Sequence, residues 1–270
     1  MKQRLVVYHA NCIDGFTAAW AAWRKFGDDA EYLPANYGEP PPDATGRDLL
    51  IVDFSYAREV LLDLHARAKS LLVLDHHKTA MEALTGLPFA VFDMQRSGAG
   101  LTWDTLCSDV GPRPWLVDYV EDRDLWRFSL ERSKAVNAFV GATKRRDFSD
   151  WSALAATSRG DAANKGDAIL AFIDHYVEAT AASARRVSFH GFDGIPIVNA
   201  PSMMISELVG HLAEGAPFAI GWSQRADGRY AYSLRSRGDG GADVAEIAKH
   251  FGGGGHRNAA GFVLAAPLAV

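Results

Sequence analysis

Short apolar runs recur along the first third of the chain, each followed by a stretch of helical period. Leu5-Val6-Val7-Tyr8, Leu49-Leu50-Ile51-Val52, Leu71-Leu72-Val73-Leu74 and Phe89-Ala90-Val91-Phe92 are short and continuous. Such runs predict strands covered on both faces. Gly15 to Phe26 places Phe16, Ala19, Trp20 and Trp23 on one helical face with Gly27 at the end, and Arg58 to Lys69 predicts a second helix. Glu39-Pro40-Pro41-Pro42-Asp43 must be a surface loop, because three prolines remove three backbone donors. Strands alternating with helices predict an α/β fold, with an N-terminal parallel sheet of Rossmann-like type.

From about residue 100 to 185 the period is helical, with Leu101–Cys107, Trp115–Glu121 and Ile169–Arg186 as segments and a polar loop over 159–167. The pattern then returns to strands at Ile195–Val198, Phe218–Trp222 and Tyr230–Leu234, with a hairpin signal at Asp227-Gly228. These changes predict a first domain over 1–186 and a second, smaller α/β domain over 187–270.

Composition narrows the function classes. The 270 residues carry 28 Lys+Arg against 33 Asp+Glu, a net charge of −5, with 48% hydrophobic and 23% charged residues. Those values belong to a folded domain and exclude a disordered tail protein. No apolar stretch approaches the roughly 18 residues a membrane helix needs, so no membrane partner is expected. Met1 to Tyr8 reads as a strand and not as a signal peptide, and Cys12 and Cys107 make no disulfide framework, so the expected compartment is the cytoplasm. A mildly acidic total argues against long duplex nucleic acid as a partner, while a homodimer stays open.

The chemistry lies at the strand ends. His9-Ala10-Asn11-Cys12-Ile13-Asp14-Gly15 follows the first apolar run, Asp53-Phe54-Ser55 the second and Asp75-His76-His77-Lys78 the third. Open α/β sheets bind ligands at the carboxyl ends of their strands. His9, Asp14, Asp53, Asp75, His76 and His77 are therefore expected around one crevice. Any one Asp could be only a helix cap, but three strand ends delivering Asp and His together are not explained by capping. Mixed carboxylate and imidazole donors suit Mn²⁺, Zn²⁺, Fe²⁺ or Co²⁺.

These motifs resemble those of the DHH phosphoesterases, named for the Asp-His-His. Many members also carry a C-terminal associated domain ending in Gly-Gly-Gly-His, and this chain has Gly252-Gly253-Gly254-Gly255-His256. The likeness runs from His9 to Gly261. It implies a metal-dependent phosphoesterase with Mn²⁺, one or two ions, as cofactor. By resemblance His9, Asp14, Asp53, His76 and a later Asp are metal ligands. Asp53 bridges two ions, His76 and Asp14 share one of them, His77 faces the substrate phosphate, and Asp75 supports a neighbouring imidazole. The later Asp must come from Glu121-Asp122-Arg123-Asp124, with Asp122 favoured and Asp124 in reserve. The first motif departs from the family in carrying one carboxylate where two or three are usual, with Asn11 or Cys12 in place of Asp. Either the first ion binds weakly, or a Cys12 thiolate replaces the carboxylate and favours softer metals, or Cys12 is an inert buried thiol.

In the second domain, Arg235 and Arg237 stand at a strand end before the glycine run. Arginines offer bidentate contacts to phosphate, and the amides of Gly253, Gly254 and Gly255 could cradle an anion beside His256. Tyr232 or Phe251 could touch a base or sugar. The expected substrates are short nucleotides: nanoRNA, linear or cyclic dinucleotides, or adenosine bisphosphate. Two alternatives remain, an exopolyphosphatase and a catalytically weakened nucleotide-binding regulatory protein. Asp239, Asp243 and Glu246 around the glycine run count against a polyphosphatase.

Overall fold

The structure, a computed structural model, describes residues 2–144, 147–238 and 240–269. Asp239 lies outside the described residues. The chain divides into two compact units, Met1–Leu170 and Ala171–Val270.

In the first unit, β1 (Arg4–His9) leads into α1 (Ile13–Phe26), followed by β2 (Ala30–Ala35), β3 (Asp48–Val52), α2 (Arg58–Arg67), β4 (Ser70–Asp75), α3 (Lys78–Ala83) and β5 (Ala90–Phe92). The five strands form one parallel sheet in the order β2-β1-β3-β4-β5. Helices α4 (Gly98–Leu106), α5 (Trp115–Asp124), α6 (Ser133–Ala142) and α7 (Phe148–Ala156) follow, then the long α8 (Arg159–Ala181). Alternate side chains leave a strand on opposite faces, and the burial follows that rule. Val6, Leu50, Val52 and Leu74 pack on one face with Phe16 and Trp20 of α1, Trp103 of α4 and Leu116 and Val120 of α5. Leu5, Val7, Leu49, Ile51 and Val73 pack on the other with Leu61 and Leu64 of α2. Each such aliphatic side chain contributes about 1.5–3 kcal/mol on full burial. The strand order reverses beside β1, so the crevice between the ends of β1 and β3 is the topological switch point where such sheets bind ligands.

In the second unit, β6 (Arg185–Phe189), β7 (Phe192–Asn199), α9 (Ile205–Leu212), β8 (Ala219–Gln224), β9 (Tyr230–Arg235), α10 (Val244–His250), β10 (Gly254–His256) and β11 (Ala259–Leu264) follow in chain order. Their sheet runs β10-β11-β9-β8-β7-β6, parallel only between β7 and β8. Helix α10 covers one face through Val244, Ile247 and Ala248, and α9 covers the other through Leu208 and Val209.

Several elements differ from the expectation. Strand β2 carries Pro34 and no apolar run, which hid it; as an edge strand it needs no donor on its outer side. Residues 159–167 are helix and not loop, because Ala162 and Ala163 are buried. At Gly166 the helix approaches the carbonyl of Ala135 so closely that a Cβ would overlap it. The expected boundary at 187 differs from the division at Leu170/Ala171, which falls inside α8. Residues 185–189, read in part as helix, are a strand that turns into β7 through His190 and Gly191, both at positive φ (52° and 81°). Two such residues make the two-residue turn that suits strand twist. Among the described residues no helix is long and apolar enough to cross a membrane.

Candidate metal centre

Three neighbouring strands, β1, β3 and β4, each deliver one part of the centre. His9 is the last residue of β1, Asp53 follows β3, and Asp75 ends β4 with His76 and His77 behind it. Asp53 adopts φ 54°, a left-handed conformation costing a non-glycine residue on the order of 1–3 kcal/mol. Its amide donates to the Leu74 carbonyl at 2.9 Å, which holds the turn. Asn11, at φ 57°, bends the chain similarly between β1 and α1, where Asn is among the better-tolerated types.

The carboxylates converge on His76. Its Nε2 lies 3.1 Å from Asp53 Oδ1, 3.6 Å from Asp14 Oδ2 and 3.4 Å from Asp124 Oδ2. His9 Nδ1 stands 3.5 Å from Asp53 Oδ2 on the other side. Donor atoms of Asp14, Asp53 and His76 lie within 4.8 Å of one another, and so do those of His9, Asp53 and His77. Asp53 belongs to both groups. His9 Nδ1 and Asp53 Oδ2 are buried and neither has a hydrogen-bond partner. A buried polar atom without a partner costs about 1–3 kcal/mol, more when charged, so this donor set fits a divalent cation. His77, expected to face substrate, also takes a donor position in the second group.

Second partners hold these donors still. Asp75 is fully buried; its Oδ2 accepts from Ser55 Oγ at 2.6 Å, and its Oδ1 lies 2.7 Å from His77 Nδ1 and accepts from the His76 amide at 2.7 Å. Asp14 accepts from the Gly98 and Ala99 amides at the start of α4, at 2.6 and 3.0 Å. That helix start is capped by Ser97 Oγ, which accepts from the Gly100 amide at 3.2 Å and is worth about 1 kcal/mol. Glu121 Oε2 accepts from the Ser97 amide at 3.0 Å and meets Arg96 Nε at 3.0 Å. Gly15 and Gly98 are required by space: a Cβ would overlap the His9 carbonyl at the first and the Asp53 side chain at the second.

Packing so many acids together sets their protonation. Burial first, then the charges of Asp53 and Asp124, push the Asp14 carboxyl well above its ordinary range. Burial also raises Asp124, with Asp53 adding and His76 opposing. Burial works against ionised Asp53, but the His76 hydrogen bond and the charges of His76 and His9 overcome it and hold the carboxyl well below the usual range. Burial opposes protonated His76, yet Asp53, Asp124 and Asp14 raise it well above its ordinary value.

Of Asp122 and Asp124 in α5, the one the structure brings beside His76 is Asp124. Asp122 Oδ1 accepts from the Ser129 amide and hydroxyl at 2.9 and 2.7 Å, and Oδ2 from the Leu130 amide at 3.3 Å and Ser133 Oγ at 2.5 Å. It organises the loop after α5, where Trp126, Phe128 and Arg132 all have positive φ. Cys12 stands at the N-cap position of α1 without a side-chain capping bond; burial and then the charges of Asp53, Asp124 and Asp14 push its thiol well up, which opposes a thiolate there. Among the described residues it joins neither donor group. Reasoning from sequence missed Ser55, Ser97 and Glu121. Only Ser97-Gly98 ahead of an apolar run carried a local signal, that of a helix cap.

The second unit's expected anion site is differently occupied. The Gly252 and Gly253 amides donate to the Lys249 and Ala248 carbonyls at 3.0 and 2.9 Å, closing α10. Gly254, Gly255 and His256 form β10 against Gly261, Ala260 and Ala259. A Cβ at Gly253 would overlap the Gly261 carbonyl, so close strand approach explains this glycine. Arg237 Nη2 pairs with Glu214 at 2.7 Å, and Arg235 Nη2 donates to Ser206 Oγ at 2.8 Å. Tyr232 and Phe251 both pack against Phe262, with ring centroids 5.0 and 4.5 Å from it, inside the unit's core.

No family model matches the chain. It is 29% identical over 286 residues to an uncharacterised protein of Acanthamoeba polyphaga mimivirus, covering 95% of this chain and 66% of that protein. The chain thus spans just under two thirds of that relative. Among solved structures it is similar to the pGpG-specific phosphodiesterase PggH of Vibrio cholerae, with a TM-score of 0.50 at 14% identity over 97% of this chain and 93% of that one. It is also similar to RecJ of Thermus thermophilus in complex with Mn²⁺, with a TM-score of 0.56 at 16% identity over 97% and 49%. These likenesses show the fold.

Proposed function

From the premise that this chain has the fold of the DHH phosphoesterases, we propose that it is a divalent-metal-dependent phosphoesterase acting on short nucleotides. NanoRNA, linear or cyclic dinucleotides and adenosine bisphosphate are its substrate class, with Mn²⁺ as first metal and Zn²⁺, Fe²⁺ or Co²⁺ as substitutes. One observation carries the reading: Asp53 is common to two groups of donors, and its Oδ2 is buried without a hydrogen-bond partner. That PggH acts on pGpG and that RecJ was solved with Mn²⁺ support the choice of substrate and metal.

His9, Asp53 and His77 would hold one ion; Asp14, Asp53 and His76, with Asp124 beside His76, would hold the other. Bound there, such ions supply Lewis-acid polarisation of the phosphoryl group and a water of lowered pKa. The chain's own residues orient the donors. Asp75, itself fixed by Ser55, holds His77 through Nδ1 and so points the ring's Nε2 away from it. The α4 amides clamp Asp14, so no side-chain entropy is left to lose when a ligand arrives. In the second unit His256 and Arg235 are proposed as substrate contacts.

The test is hydrolysis with and without added Mn²⁺ across a linear dinucleotide, a cyclic dinucleotide, adenosine bisphosphate and polyphosphate, with metal analysis of the purified protein. Mn²⁺-dependent turnover of nucleotides is expected. Turnover of polyphosphate alone would make the protein an exopolyphosphatase, and binding without turnover a regulatory protein; either overturns the proposal.

A further inference from the structure

A cavity of about 750 Å³ opens in the first unit at the carboxyl ends of β1 and β2, which the centre described above does not use. Its walls include Tyr8, Asn11, Cys12, Asn36, Glu39 and Lys144. Ala10, which follows His9, and Cys12, two residues before Asp14, both line it, so cavity and metal centre share a wall. The volume is that of a small-molecule site, roughly 300–1,000 Å³.

The lining selects among ligands. Tyr8 packs edge-on against Phe16, with centroids 6.2 Å apart, and gives the cavity an aromatic side. Glu39 accepts from the Asn36 amide and Nδ2, both at 3.0 Å, so a carboxamide and a carboxylate are already fixed in place at the rim. Lys144 is the one cation among the lining residues described. An inorganic polyanion would meet Glu39 with like charge, which disfavours a chain of phosphates there. A nucleoside uses all three features: its base meets carboxamide and carboxylate edges, its ring face an aromatic wall, and an adjoining phosphate the lysine.

We infer that this cavity receives the nucleoside on one side of the scissile phosphate, so that the substrate is a nucleotide ester with a base at that position and not an inorganic phosphate chain. The inference rests on the phosphoesterase reading of the neighbouring centre, and its test separates the two. In the Mn²⁺-loaded full chain, kcat/KM is measured for a linear dinucleotide and for bis-p-nitrophenyl phosphate, which has no base. Ala142→Trp narrows the cavity from its exposed rim, and Lys144→Ala removes the cation; melting curves confirm that both fold. The ratio of kcat/KM for dinucleotide over the aryl ester should fall at least tenfold in Ala142→Trp and several-fold in Lys144→Ala. An unchanged ratio in both overturns the inference while leaving the phosphoesterase reading intact. If the wild type hydrolyses neither compound, the phosphoesterase reading fails, and calorimetric titration with the dinucleotide decides the cavity by itself. Binding at least tenfold weaker in Ala142→Trp sustains it; equal binding, or none in the wild type, overturns it.

Discussion

The strand-end motifs of the first unit and the glycine run of the second unit offer comparable ligand groups in sequence, but the fold treats them in opposite ways. At the first, buried atoms such as His9 Nδ1 and Asp53 Oδ2 are left without a hydrogen-bond partner among three acids. At the second, the Gly252 and Gly253 amides close a helix, Gly254 to His256 enter a sheet and Arg237 pairs with Glu214. Chemical capacity in a motif is whatever the protein itself has not already satisfied. The first region therefore keeps its capacity for a ligand, and the second uses much of its own for folding.

The hardest blow to that contrast is Asp53→Ala. Removing the one carboxylate common to both donor groups should abolish hydrolysis, by at least two to three orders of magnitude, while the melting curve stays cooperative. Each ~1.4 kcal/mol of lost transition-state stabilisation is tenfold in rate. Turnover above about a tenth of wild type would refute the shared role.

A paired substitution distinguishes ligand from scaffold within α5. Asp124→Asn should lower metal affinity and kcat tenfold or more with little change in Tm. Asp122→Asn should instead cost about 1–3 kcal/mol of stability, because four donors lose a charged acceptor. Metal titration and thermal melts on both variants check it, and the reverse pattern would restore Asp122 to the centre.

The pH dependence has a definite sign. Asp14, Asp124 and His76 are all raised in the cation-free protein, so the native state binds more protons than the unfolded chain. Stability from His76 is complete below the ordinary histidine value of 6.5 and is lost as pH rises through its raised folded value. Asp53 and Asp75 are lowered, so their contribution is lost only on acidification below the ordinary 3.8. The EDTA-treated protein should therefore show a falling Tm above pH 6.5. Mn²⁺, which displaces these protons, should bind about tenfold tighter per pH unit for each proton released. A Tm that rises with pH in EDTA, or Mn²⁺ affinity independent of pH, would contradict the account.

The second region is probed most finely by separating its glycines from its histidine. Gly253→Ala should lower stability by about 1–3 kcal/mol, since the added Cβ meets the Gly261 carbonyl. His256→Ala should leave metal content intact and reduce kcat/KM several-fold. Loss of metal from the His256 variant would mean that the second unit also serves the metal, and an unchanged melt for Gly253→Ala would revive an anion cradle.

The sheet was legible because its signal is local. Leu5 to Val7, Leu49 to Val52 and Leu71 to Leu74 are apolar on both faces, and each is followed at once by His9, Asp53 or Asp75. Strand β2 and the first turns of α8 were not legible, since Pro34 at an edge and Gly166 against Ala135 make sense only once the neighbouring element is in place. The choice between Asp122 and Asp124 was likewise out of reach. Two residues along a helix lie about 200° apart around its axis, and which side meets the strand ends depends on how α5 packs.

The local order of the sequence by itself determined the α/β class and delivered Asp and His to three strand ends, because side-chain periodicity and chain continuity act over a few residues. Only the tertiary structure decided which polar groups were spent. Asp122 was satisfied by Ser129 and Ser133, Arg237 by Glu214, and the Gly253 amide by Ala248, while His9 and Asp53 were brought together with buried atoms still unpaired. Hydrogen-bond satisfaction is settled between residues distant in sequence, and no local pattern reports it.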